Sequence, residues 1–130
     1  MKVRAVFRWL LAAFFLAAGL NHFREPGVYA AMMPPWMPRP YILNALAGAF
    51  EMMGAIGVLI PTLRSAAGWG LIALLVAVFP VNVRAALIGE MPGITASPLV
   101  LWLRLPLQAV FIAWVAWVSL AKEPRASRAD

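Results

Sequence analysis

The sequence predicts an all-α membrane protein: an antiparallel four-helix transmembrane bundle with both termini on the inner side. Three observations carry that expectation. The 130 residues are 64% hydrophobic, with mean hydropathy +0.84, more apolar surface than a domain this small can hide from water. Four apolar runs are long enough for the about 20 helical residues that cross a bilayer. Lys and Arg gather on one side of those runs, as topology signals do.

The first run, Val3–Leu20, follows a basic start and ends in small residues. The same features describe a signal peptide, so both readings stand for this run; the other three make the membrane class independent of it. The loop that follows, FREPGVYAAMMPPWMPRP, has prolines crowded into its second half, which forbid a regular helix there. One reading is an interfacial segment with Trp and Tyr at headgroup level. The other is a lid over the bundle's outer mouth, with Met33, Trp36 and Met37 as an adaptable apolar cover. The remaining runs are Tyr41–Ile60, Ala66–Ile88 and Pro98–Leu120, and a link as short as PTLRS makes its flanking helices antiparallel neighbours. Residues 1–120 form a single transmembrane domain; residues 121–130, with the polar run KEPRASRAD, read as a disordered cytoplasmic tail.

With the N-terminus inside, the inner side holds Lys2, Arg4, Arg8, Arg64, Lys122, Arg125 and Arg128, against Arg24, Arg39 and Arg84 outside. The expected location is a bacterial-type inner (plasma) membrane, crossed several times, N-in and C-in. The net charge of +6 is then spent on topology and anionic headgroups, and no nucleic-acid partner is expected. The chain has no cysteine, which excludes disulfides, Fe–S clusters and thiolate metal sites within it. Its one histidine, His22, excludes two-histidine haem ligation within one chain. No metal site, catalytic dyad or cofactor motif is visible, so the expectation leans away from an enzyme.

Ionisable residues inside a membrane are costly and normally face the bundle interior, marking function or a partner. Counting at about 1.5 Å per residue from the outer boundary, Glu51 and Gln108 lie roughly 15 Å deep, Arg104 and Asn82 roughly 9 Å. Asn44 lies near the surface on the face of Glu51, and Asn21 and His22 end the first span at the mouth. Polar atoms thus come from all four spans and fall in the outer half, which predicts a ligand-binding polar pocket there. Glu51 and Arg104 are either an interhelical ion pair or part of that site, and the expectation is a paired, ionised carboxylate. The amides are either interhelical hydrogen-bond glue or pocket walls. Pro80 and Pro106 should free the carbonyls of Val76 and Trp102 as further acceptors.

In order, GLNHF, MPPWMPRP, GAFEMMG, FPVN and RLPLQ resemble the DoxX/DoxD-like family of small four-span membrane proteins. The resemblance runs to about Trp117. It implies a four-helix integral membrane fold, and it picks out His22, Glu51, Asn82, Arg104 and Gln108, the set that depth counting selects. Some relatives are subunits of membrane redox complexes, including a thiosulfate:quinone oxidoreductase, and others assist the maturation of partner proteins. The leading expectation is a membrane subunit or assembly factor that binds a small amphiphile, a lipid or quinone, or a partner membrane protein or second copy of itself. A quinone-linked oxidoreductase subunit is the alternative. A proton-coupled exporter ranks third: small multidrug exporters carry their glutamate in the first span, and here it is in the second.

Overall fold

A computed structural model describes residues 2–89 and 97–122, and all the secondary structure within them is helical. α1 spans Lys2–Arg24, a short α2 Pro26–Met32, α3 Pro40–Leu59, α4 Arg64–Ile88 and α5 Pro98–Ser119. All but α2 are long and apolar enough to cross a membrane. The expected tail lies outside the described residues from 123 onward.

Local chemistry explains the boundaries. α2, α3 and α5 each begin on a proline, whose fixed φ suits the first helical position and whose missing N–H costs nothing there. Ser97 caps α5 by accepting from the Val100 N–H. Gly89 ends α4 at φ 75, the left-handed conformation that favours glycine. Arg39 takes a left-handed φ of 49 where the proline-rich stretch turns into α3. α1 continues one turn past the expected end at Leu20 and stops only before Pro26, where the proline disfavours helical geometry in its predecessor. His22 therefore lies inside the helix rather than at its exit.

The four long helices form a ring. α1 packs most extensively on α3, α3 also on α4, and α4 on α5, while α5 returns to α1 through a narrower contact. α3 and α5 thus stand diagonally across the ring. The dry core lies in one half of it: Leu11, Ala12 and Phe15 of α1 meet Ala55 and Val58 of α3, Leu71 of α4, and Val115 and Val118 of α5. At that end arginines satisfy carbonyls that the helix C-termini leave without partners. Arg8 Nε donates to Val118 O at 2.9 Å, Arg64 Nε to Val58 O at 2.9 Å, and Arg4 Nη1 to Ala121 O and Lys122 O, each at 3.2 Å. Arg8 is buried, so it is a structural tie as well as a flanking charge.

Candidate functional site

The site begins where two backbones touch. A methyl group on Gly48 would lie 2.9 Å from Gly19 O, and one on Gly19 would lie 2.7 Å from Gly48 O. Only glycines allow α1 and α3 so close. One turn beyond Gly19 on α1 stands His22; on α3, Asn44 and Glu51 stand one turn to either side of Gly48. The crossing therefore inserts the imidazole between an amide and a carboxylate.

Asn44, 1% exposed, holds the ring from one side. Its Nδ2 donates to the backbone carbonyl of His22 at 2.8 Å, an oxygen in the last turn of α1 that lacks a helical partner. That bond orients the amide, so its Oδ1 meets His22 Nδ1 at 2.6 Å and must accept from it. Nε2 is then the nitrogen turned toward chemistry, and it lies 3.4 Å from Glu51 Oε2. This is ion-pair reach, yet Oε2 is buried and makes no hydrogen bond. Tyr29 of α2 stacks on the imidazole, with ring centroids 3.9 Å apart and an interplanar angle of 20°. Asn21 Nδ2 in turn donates to the Tyr29 hydroxyl at 2.8 Å.

His22 and Glu51 line a cavity of about 320 Å³ in the half of the ring opposite the dry core. Phe14, Phe15, Phe111, Leu75 and Val78 make its walls apolar, and Asn82, Arg104 and Gln108 add polar atoms from α4 and α5. Asn82 Nδ2 donates to Gln108 Oε1 at 3.0 Å, and Gln108 Nε2 donates to Leu75 O. That carbonyl is one residue before the one Pro80 was expected to free. α2 covers the cavity with Tyr29 and Met32, followed by Met33 just past its end, and is held to α4 by Arg84 Nη1 on Met32 O at 3.2 Å.

The structure thus brings His22, Glu51, Asn82, Arg104 and Gln108 around one space, with Asn44 and Asn21 bonded just behind it. Two placements differ from expectation. Glu51 has His22 of α1 at 3.4 Å, a neighbour that sequence depth did not suggest, while Arg104 of α5 lines the same cavity. Asn44, four residues into α3 by depth, is buried within the protein, bonded to His22 in the turn by which α1 outruns Leu20. Of the expected lid, Met33 faces the cavity, Met37 is half-buried, and Trp36 points away, 72% exposed. The cover is the helical first half of the loop, not its proline-rich second half.

Tyr29 and the phenylalanine walls escaped the sequence reading. For Tyr29 the available signal was an aromatic residue in GVYAAM, the stretch of the loop between the prolines that is free to be helical. Phe14, Phe15 and Phe111 sit in runs too uniformly apolar for any one residue to stand out.

No curated protein and no solved structure matches the chain. A model of the domain of unknown function DUF8561 matches residues 11–119, a stretch that holds every side chain of the site, and the chain belongs to that family.

Proposed function

We propose that this is a multi-pass membrane protein that binds one small amphiphile, a lipid or the hydroxyl-bearing quinol form of a quinone, with its polar head at His22 and Glu51 and its apolar body against the phenylalanine walls. The observation that carries the reading is Glu51 Oε2, a buried carboxylate oxygen without a hydrogen bond, on a residue lining a mostly apolar cavity. Leaving such a group unsatisfied costs roughly 1–3 kcal/mol, so a ligand donor there gains about five- to a hundredfold in affinity. A hydroxyl head suits the pair best. It donates to Oε2, which a carbonyl head, having no hydrogen, cannot do.

Support for the membrane setting comes from the ring itself. The middle of α1 meets the second half of α3, the first third of α4 and the last third of α5, which fits antiparallel helices; the Lys and Arg bias of the sequence favours both termini cytoplasmic in a bacterial inner membrane. The order of GLNHF, GAFEMMG, FPVN and RLPLQ supports reading this DUF8561 chain as DoxX-like, and a membrane subunit or assembly factor as its role.

The test compares dodecanol with dodecane on the purified protein in detergent, followed by thermal unfolding and native mass spectrometry. Dodecanol should bind and stabilise, dodecane should do neither, and Glu51→Gln should weaken dodecanol at least tenfold while remaining folded. Equal effects of the two probes would sink the reading. So would a Glu51→Gln protein that loses stability but binds dodecanol as before, which would make Glu51 purely structural.

A further inference from the structure

Which way a ligand enters follows from how each wall of the cavity is fastened. The α1–α3 wall is closed by the backbone contact at Gly19 and Gly48. α3 and α4 meet along a broader contact than α1 and α5, tightest beside the dry core, where Gly54 receives Leu71 and Gly57 receives Ala67. Asn82, Gln108 and the Leu75 carbonyl tie α4 to α5. The mouth lies under α2, bonded to α1 through Asn21 and Tyr29 and to α4 through Arg84 and Met32.

The α1–α5 wall differs. It is the narrowest contact in the ring. The hydrogen bonds between these helices described above, and that of Trp114 Nε1 to Phe7 O at 3.2 Å, lie at the far end, beside the dry core. Beside the cavity the contact is a set of phenylalanine rings. Phe14 stacks on Phe111 with centroids 4.8 Å apart, and Phe15 meets Phe111 edge-on at 6.4 Å. Phe14 and Leu107 both line the cavity and are also 46% and 47% exposed. The wall is one side chain thick there, and such exposed side chains change rotamer in picoseconds to nanoseconds.

Phe14 lies within a turn of the midpoint of α1, and Leu107 within a turn of the midpoint of α5. In a membrane this thin wall faces acyl chains rather than headgroups or water. From it, the eight residues up α1 to His22 measure roughly 12 Å. A molecule threading the seam head first can reach Glu51 and leave its tail at the rings.

We infer that the cavity is loaded sideways from the bilayer through the Phe14–Phe111 seam between α1 and α5. Its ligand is then a single-chain amphiphile dissolved among the acyl chains, not a solute arriving from the outer aqueous phase. The inference rests on the amphiphile reading above and adds the source and route of the ligand. Charged solutes are refused at this depth by the cost of leaving water.

The chain has no cysteine, so the variant Phe14→Cys/Phe111→Cys carries its only two thiols. The protein is reconstituted in phosphatidylcholine vesicles, joined across the seam by a reducible bifunctional thiol reagent, and then mixed with vesicles carrying a diazirine-labelled hexadecanol. Irradiation at increasing times, followed by peptide mass spectrometry, reads the rate at which Glu51 is labelled. The joined protein should be labelled at least tenfold more slowly than the same protein before joining, and reduction should restore the rate. Phe14→Ala, which thins the seam and needs no reagent, should speed labelling.

Unchanged labelling after joining, or a Phe14→Ala rate equal to that of the unaltered protein, would overturn the lateral route while leaving ligand binding in place. Failure of the unaltered protein to be labelled at Glu51 would sink the binding reading and the route together.

Discussion

Replacing Gly48 with alanine tests the crossing on which the site depends. The added methyl group would lie 2.7 Å from His22 Cβ, 2.9 Å from Gly19 O and 3.0 Å from Phe23 Cε2, against about 3.4 Å where ordinary contact begins. Two of these neighbours belong to the backbone or its first side-chain atom, so neither yields by rotating. α1 and α3 must part by about 0.7 Å, the difference between 3.4 and 2.7 Å. Taken along the His22–Asn44 bond, that stretches Nδ1···Oδ1 from 2.6 Å to about 3.3 Å, past the range of a good hydrogen bond.

Overpacking of this kind costs about 1–3 kcal/mol, while alanine regains up to about 1 kcal/mol of helix propensity. Gly70, also inside a helix, has nothing within 4 Å of an added methyl group, so Gly70→Ala carries the propensity gain alone. The difference between the two variants isolates the overpacking, about 1–3 kcal/mol, or roughly five- to a hundredfold in the unfolding equilibrium. Reversible unfolding in mixed micelles measures it, and the ring nitrogen resonances of His22 report whether the Asn44 bond survives. If both variants shift stability equally and the His22 signals do not move, the close approach does not position the imidazole and the argument for the site fails.

Asn44→Ala removes both the donor to the His22 carbonyl and the acceptor for Nδ1; it should cost about 1–3 kcal/mol in the same unfolding assay and loosen the His22 resonances. A double-mutant cycle of Asn82→Ala and Gln108→Ala should show a coupling of about 0.6 kcal/mol, within the range for hydrogen bonds between membrane helices; additive effects would dissolve that pair. Arg8→Met should destabilise more than Arg4→Met, since the buried Arg8 bonds Val118 O while the Arg4 bonds are exposed, and thermal unfolding of the two variants side by side decides it. Tyr29→Leu, which deletes the ring stacked on His22 and the hydroxyl bonded to Asn21, should make α2 more open to proteolysis and leave the dry core intact.

The long helices were legible because the signal is local. A bilayer selects apolar runs of fixed length, and hydropathy summed along the chain finds them with no knowledge of neighbours. Prolines and the capping serine place most of the boundaries for the same reason. The crowding of polar side chains into one half was also visible, because depth along a helix is only a count of residues.

Tertiary structure alone decided who meets whom. Depth put Arg104 within a turn of Glu51, but depth carries no information about direction around the ring. Which helices touch is settled by where two glycines let backbones approach, and that brought His22 of α1 to the carboxylate. His22, Asn44 and Glu51 become one unit only at the Gly19–Gly48 crossing, a contact between residues 29 positions apart whose pairing no local pattern announces. The thin seam at Phe14 and Phe111 is likewise a property of the ring's weakest contact, invisible in runs where every residue is apolar.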